Sequence, residues 1–227
     1  MRSVPYAEAD AIVTLFTQRF GVVAALARRA RVFRKGAPLC LEPIHTLRVE
    51  LAESPSSELL ALRASSLETP RRRLTEDLSR MEAAGLALRW LRLGLPPRTS
   101  EPEAWAELVG LLDSLDVACL AAPAAALVAG FGLRLLRLLG YELSLHACVV
   151  CGKPCDPDRS SHVDPVRGGI VCRACGGHGA VLAGAVRARL AAATASADAL
   201  VQEGDVAEVR VLIDDVLRAH LGVGGER

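Results

Sequence analysis

The chain has 227 residues, 51% of them hydrophobic and 23% charged, which excludes a largely disordered protein and supports one large or two small domains with a real core. Its 27 Lys+Arg and 26 Asp+Glu nearly balance, so a uniformly basic or acidic chain is excluded as well. The charge is uneven, however: residues 1–73 hold 12 Lys+Arg and 7 Asp+Glu, and a basic front half points to a local anionic partner.

The opening Met1-Arg2-Ser3-Val4-Pro5 has no apolar core of a secretory signal. Asp10–Thr17 is β-branched and partly alternating, and Gly21–Ala27 follows after a short loop. Two such runs predict a hairpin. Ile44–Leu51 alternates as a third strand, and Glu58–Ser65 fits a fourth. Short strands with turns between them predict a small barrel or sandwich.

Between the second and third runs lies Arg28-Arg29-Ala30-Arg31-Val32-Phe33-Arg34-Lys35, with five positive charges. Clustered Arg and Lys neutralise phosphates and gain from counterion release. Phe20 and Phe33 are candidates to stack on bases. Few aromatic residues are present, so binding is expected to be electrostatic, salt-sensitive and weakly selective for sequence. Arg71-Arg72-Arg73 is a second basic candidate, at a helix start where cations oppose the dipole.

Pro70 marks a change to helical spacing. Leu74, Leu78, Met81, Leu86, Leu88 and Leu91 predict one apolar stripe. Glu101-Pro102-Glu103 opens a helix that runs to about Leu115. Pro123 begins a third, stopped at Leu139-Gly140. Further helices are predicted at about Gly179–Ala193 and Asp205–Leu221, with Gly222, Gly224 and Gly225 marking a frayed end. The uncharged run Val117–Leu133 contains Pro123 and reads as a buried core helix, not a membrane span. A cytoplasmic location follows, where cysteines stay reduced and point to metal or burial.

Cys148-x-x-Cys151 and Cys172-x-x-Cys175 are separated by twenty residues. Zinc takes four tetrahedral thiolate or imidazole ligands, and each CxxC knuckle supplies two sulfurs on a tight turn. Gly152 and Gly176-Gly177 follow the knuckles, where backbone N–H groups must turn toward sulfur. Four protein ligands leave no open position, so one structural Zn2+ is expected, not a catalytic one. Cys155, His146, His162 and His178 stand nearby as alternative ligands. Cys40 and Cys119 read as small buried residues. The residues between the knuckles carry few cations, so the finger reads as a staple, not a phosphate binder. No phosphate loop, dinucleotide fingerprint, zinc-protease motif or nucleophile elbow occurs, and the chain reads as non-catalytic.

Tyr6 to Thr17 resembles the opening of the RecO family of bacterial DNA repair proteins. Gly21–Arg28 with its basic tail and Leu41-Glu42-Pro43 are similar too. Phe131 to Tyr141, Cys148-Val149-Val150-Cys151-Gly152 and Val163-Asp164-Pro165 through Cys172 resemble the family's helix and zinc finger. The resemblance spans nearly the whole chain. It implies an α+β protein: an N-terminal OB-fold β-barrel at 1–69, then an α-helical domain at 70–227 with a four-cysteine zinc finger inserted at 145–178. It implies a recombination mediator, cytoplasmic and nucleoid-associated, that binds and anneals single- and double-stranded DNA. It also implies work with RecR and single-strand binding protein (SSB) to load RecA. DNA contact is carried to Arg28, Arg29, Arg31, Arg34 and Lys35, which match the family's basic segment. The resemblance also implies a complete first strand before Tyr6, yet only Met1–Pro5 precede it. Either the start lies further upstream or the barrel lacks a strand and exposes its core. The alternative reading is a zinc-stapled interaction scaffold whose OB domain no longer binds DNA.

Overall fold

A computed structural model describes residues 2–30, 41, 43–54 and 57–221. The chain forms two compact units, Met1–Ala118 and Cys119–Arg227. The predicted residues Arg31, Phe33, Arg34, Lys35, Cys40, Glu42, Gly222, Gly224 and Gly225 lie outside the described residues.

The first unit is built on five strands, β1 (Arg2–Tyr6), β2 (Asp10–Thr17), β3 (Gly21–Ala27), β4 (Thr46–Ser54) and β5 (Ser57–Thr69). Their order in the sheet is β1-β2-β3-β5-β4. Every pair is antiparallel except β3 with β5, which run parallel. A five-stranded mixed order of this kind is that of an OB-fold barrel. The β2–β3 hairpin falls where the sequence placed it, with Thr17 opposite Gly21 at its tight end. β1 corrects the expectation of a missing strand. It is short, but it pairs with β2 from Arg2↔Thr14 to Tyr6↔Asp10. Every one of its residues is exposed, and Pro5, which lacks an N–H to donate, is tolerated on such an edge.

Side chains alternate across each strand, so one face of the hairpin turns inward. Ala11, Val13, Ala25, Ala27 and Leu62 form the barrel core, with Leu15, Val49, Leu51 and Leu60 packed on it. Among the described residues β1 and β4 are not paired with each other. A cleft of about 680 Å³ opens there, lined among others by Ser3, Leu15, Leu47, Val49, Trp105 and Leu108. The core residues of the barrel are nonetheless buried, from Ala25 and Ala27 at 0% to Leu62 at 6%.

Three helices complete this unit: α1 (Arg72–Thr75), α2 (Leu78–Gly94) and α3 (Pro102–Leu115). Asp77 caps α2, accepting from the Arg80 backbone N–H. The buried face of α2 is Ala83, Ala84, Ala87, Trp90 and Leu91; of the predicted stripe only Leu91, and Leu74 in α1, are fully buried. Leu78 is 69% exposed, so it belongs to the outer face of the first turn. Phe16 of β2 meets Trp105 of α3 edge to face, with ring centroids 5.5 Å apart.

Arg71 joins the sheet to these helices and is 1% exposed. Its Nε and Nη2 donate to Asp113 Oδ1 at 3.1 and 2.8 Å. Its Nη1 donates to Thr46 Oγ1 at 2.8 Å and to the Ile44 carbonyl at 3.3 Å. Its backbone N–H donates to His45 Nδ1. Ile44 has φ +79°, a strained conformation for a β-branched residue, and Arg71 grips its carbonyl. Arg71 is therefore an internal tie, which corrects its reading as a partner contact. Arg72 and Arg73 remain exposed.

The second unit is centred on α4 (Ala124–Leu138), which is buried on nearly all sides. Only the second half of the uncharged Val117–Leu133 run is helical; the part before Pro123 is irregular and Cys119 is exposed, not buried. α4 ends where Tyr141 N–H reaches back to the Leu136 carbonyl across Gly140, whose φ is +81°. α5 (Gly184–Ala195) and α6 (Val206–Leu221) pack on it. Between α4 and α5 lies a three-stranded ribbon of β6 (Ser161–Asp164), β7 (Gly169–Val171) and β8 (Val181–Leu182), in the order β7-β6-β8. Among the described residues no helix is long and apolar enough to cross a membrane.

Asp113→Ala should strand the buried Arg71 guanidinium with neutral acceptors only, and lower unfolding free energy by about 1–3 kcal/mol. Glu68→Ala, which removes the exposed partner of Arg48, should cost under about 1 kcal/mol. Urea titration of both variants checks this. Equal losses would mean that Arg71 does not depend on its carboxylate.

Candidate metal centre

The two knuckles are separated in sequence but meet beside the ribbon. Each is a tight turn closed on its own first cysteine. The Gly152 N–H donates to the Cys148 carbonyl at 2.8 Å, and the Gly177 N–H to the Cys172 carbonyl at 3.1 Å. Gly152 and Gly176 have φ of +70° and +83°, a backbone form that side chains disfavour. Gly177 is required by close approach, since a Cβ there would sit 2.3 Å from the Val171 carbonyl oxygen. Val149 N–H donates to the Ile170 carbonyl, binding the first knuckle to β7 just before the second begins.

The Sγ atoms of Cys148, Cys151, Cys172 and Cys175 all lie within 4.8 Å of one another. Cys151 Sγ and Cys172 Sγ are 3.9 Å apart. A tetrahedral ion with sulfur at ~2.3 Å sets its sulfurs roughly 3.8 Å apart. The donor set therefore fits one ion of that kind, and these four cysteines could hold a metal. Cys148 is 1% exposed, and the Cys172 N–H donates to its sulfur at 3.4 Å.

The thiols are not equivalent. Backbone N–H groups of Cys172, Cys151 and Val150 hold the Cys148 thiol well below its ordinary value, at about 6. Cys175 is pushed up to about 12, by hydrogen bonding with the Cys172 and Cys151 sulfurs, by burial, and by the charge on Cys148. Crowded thiols share protons, and a dication would displace them.

Among the described residues the alternative ligands Cys155, His146, His162 and His178 are not part of the cysteine group. Cys155 Sγ approaches the Lys153 carbonyl at 4.0 Å, and its N–H donates to the His146 carbonyl. His178 Nδ1 lies 2.8 Å from the Gly176 carbonyl. His162 Nδ1 is buried with no partner among the described residues, but it is not part of the cysteine group.

Sequence reasoning missed Arg187, which α5 sends into the finger. It is 3% exposed. Its Nη1 donates to the Leu145 carbonyl at 2.8 Å, and its Nη2 to those of Asp156 and Arg159 at 2.5 and 2.7 Å. Gly184 at the start of α5 allows this loop to approach, since a Cβ would lie 1.9 Å from the Pro157 carbonyl oxygen. At the other side His220 of α6 stacks on Tyr141 and its Nε2 lies 3.1 Å from the Pro165 carbonyl. An arginine in a helix of alanines gave no signal beyond ordinary surface charge.

In the first unit, Arg28 and Arg29 are exposed at the end of β3. Arg29 has φ +54°, and its backbone N–H donates to Asp10 Oδ1 at 2.8 Å. That bond fixes the turn from which the basic run departs. Arg31, Arg34 and Lys35 of that run lie outside the described residues.

Two family models match the chain, "Recombination protein O N terminal" over residues 1–71 and "Recombination protein O C terminal" over residues 75–226. A DNA repair protein RecO from Anaeromyxobacter sp. (strain Fw109-5) is 32% identical over 98% of this chain and 89% of its own length. One from Geobacter sulfurreducens is 35% identical over 80% of this chain and 72% of its own length. One from Myxococcus xanthus is 32% identical over 78% and 70%. Together with the OB-order sheet, the helices behind it and the four converging cysteines, these matches show that the chain belongs to the RecO family of DNA repair proteins.

Proposed function

We propose that this protein is a non-catalytic recombination mediator that binds and anneals DNA. In this reading it acts in the cytoplasm at the nucleoid. It works with RecR and SSB, and helps load RecA on SSB-coated single strands. The observation that carries the reading is an OB-order sheet whose third strand ends in an exposed pair, Arg28 and Arg29, on a turn fixed by Asp10. A positive pair held at the rim of such a barrel suits a phosphate backbone. We assign DNA contact to Arg28, Arg29, Arg31, Arg34 and Lys35. The domains of this reading are an OB-fold at 1–69 and a helical domain at 70–227, with the finger at 145–178.

Zinc is the ion we assign to Cys148, Cys151, Cys172 and Cys175, since four thiolates at tetrahedral spacing suit it best. Its part is structural: it clamps two loops into one knuckle, and no substrate position remains. Arg187 and the ribbon then transmit that rigidity to α5.

The double charge reversal Arg28→Glu with Arg29→Glu should weaken binding of labelled oligonucleotides sharply. It should also flatten the dependence of log affinity on log salt by about 1 per lost phosphate contact. Fluorescence anisotropy across a salt series checks both, and wild-type protein that binds no oligonucleotide at low salt would sink the reading.

Loading metal-free protein with zinc near neutral pH should release fewer than four protons, because Cys148, with its value at about 6, is already largely ionised. Cys175, held at about 12, keeps its proton until the ion displaces it. Metal affinity should therefore rise with pH. Calorimetry in buffers of different ionisation enthalpy measures the proton count, and release of all four would contradict the inequality of the thiols.

A further inference from the structure

Aromatic side chains are scarce here, with four Phe, two Tyr and two Trp in 227 residues. Phe20 is nonetheless 56% exposed, at the tight end of the β2–β3 hairpin. An exposed apolar ring alone needs no explanation. The way this one is held does.

The Thr17 hydroxyl accepts from the Phe20 backbone N–H at 3.1 Å and donates to the Gly21 carbonyl at 3.0 Å, closing the turn on itself. Residues 97–100 brace it from one side. Pro97 bridges Val22, the Arg98 N–H donates to the Val22 carbonyl at 2.8 Å, and Ser100 Oγ donates to the Gln18 carbonyl at 3.2 Å. The Arg98 guanidinium donates to the Glu58 carbonyl. The fit is so close that a Cβ at Gly21 would fall 1.7 Å from the Thr99 carbonyl oxygen. The turn is thus fixed in place while its aromatic tip stays in water. Arg19 lies over the ring, its guanidinium carbon 5.9 Å from the centroid.

A rigid exposed ring paired with a guanidinium is the chemistry that takes up an unpaired nucleobase. The ring supplies a π-face for any base, and the cation sits where the adjoining phosphate must pass. Pre-organisation matters because the ordering cost of the loop is already met in the fold. The placement also suits a path. Phe20 precedes β3 and Arg28 follows it, so roughly 25 Å of strand separates them. Between them β3 exposes the small side chain of Ala24, opposite the half-buried Thr14.

We propose that Phe20, backed by Arg19, is a stacking platform for an unpaired base of single-stranded DNA, at the opposite end of β3 from the basic run. This rests on the DNA-binding reading given above. Base stacking needs a base free of its duplex partner, so the platform discriminates single strands from duplex, while the basic run serves both.

The test compares wild type, Phe20→Ala, Phe20→Trp and the Arg28→Glu with Arg29→Glu double variant, as full-length protein. The probes are an oligothymidylate of roughly 20 nucleotides, an abasic strand of equal length, and a blunt duplex. Phe20→Ala should lose about 5-fold or more in affinity for oligothymidylate, with the salt slope unchanged and duplex and abasic binding unaltered. Phe20→Trp should bind as wild type, and its indole fluorescence should be quenched by oligothymidylate and not by the abasic strand. If Phe20→Ala binds oligothymidylate as wild type does, the platform is wrong although the DNA-binding reading stands. If it loses affinity equally for all three probes, the ring is structural and the proposal falls. If wild type binds none of them, the DNA-binding reading itself fails and the platform goes with it.

Discussion

Four sulfur atoms within 4.8 Å of one another are the constraint on which the second unit is arranged. Thiols crowded to that distance repel once ionised, and nothing apolar favours their meeting. The chain nevertheless uses two glycines of positive φ and a third whose hydrogen fills the only space available, all to close the two knuckles. Local backbone cost of this kind is kept where a strong interaction offsets it. A dication bound by four thiolates is of that order, and its binding free energy is folding free energy. With Cys148 held low and Cys175 held high, the cluster shares protons that such an ion would displace.

The finger does not stand apart from the helices, because α5 reaches into it. Arg187 donates to three carbonyls, of Leu145, Asp156 and Arg159, so one side chain of α5 gathers loop positions that lie up to 14 residues apart. His220 on α6 does a smaller version of this through Tyr141 and the Pro165 carbonyl. The cysteine loops are therefore tied to the helices, and an ion held by the four cysteines would fix them from the other side as well.

What the sequence disclosed followed from patterns that are local. The β2–β3 hairpin was legible because its β-branched runs flank a short loop ending in Gly21. The cysteine pairs were legible because metal spacing is written in two tetrapeptides. β1 was not, since a five-residue strand containing Pro5 and burying nothing shows no hydrophobic period. The face of α2 was only partly located, for a related reason. Its core residues are Ala83, Ala84 and Ala87 with Trp90 and Leu91, and a search for large apolar side chains passes over alanine. The ribbon strands β6, β7 and β8 are two to four residues long, too short for any period to register.

The two buried arginines expose the deeper limit of such reading. Arg71 and Arg187 look like any other positive charge in a chain that has almost no lysine. Both are sealed from water, by different means. Arg71 meets a carboxylate, a hydroxyl and a carbonyl. Arg187 meets carbonyl dipoles alone. In each case a planar fork of several N–H donors reaches acceptors that lie far apart in sequence, and a lysine ammonium, compact and strongly hydrated, could not span them. An arginine chosen for its geometry and one chosen for its charge share the same letter. Burial separates them: Arg28 and Arg29 stay exposed at the barrel rim and remain available to an anion, whereas the Arg71 guanidinium and both Nη atoms of Arg187 are already engaged by the fold.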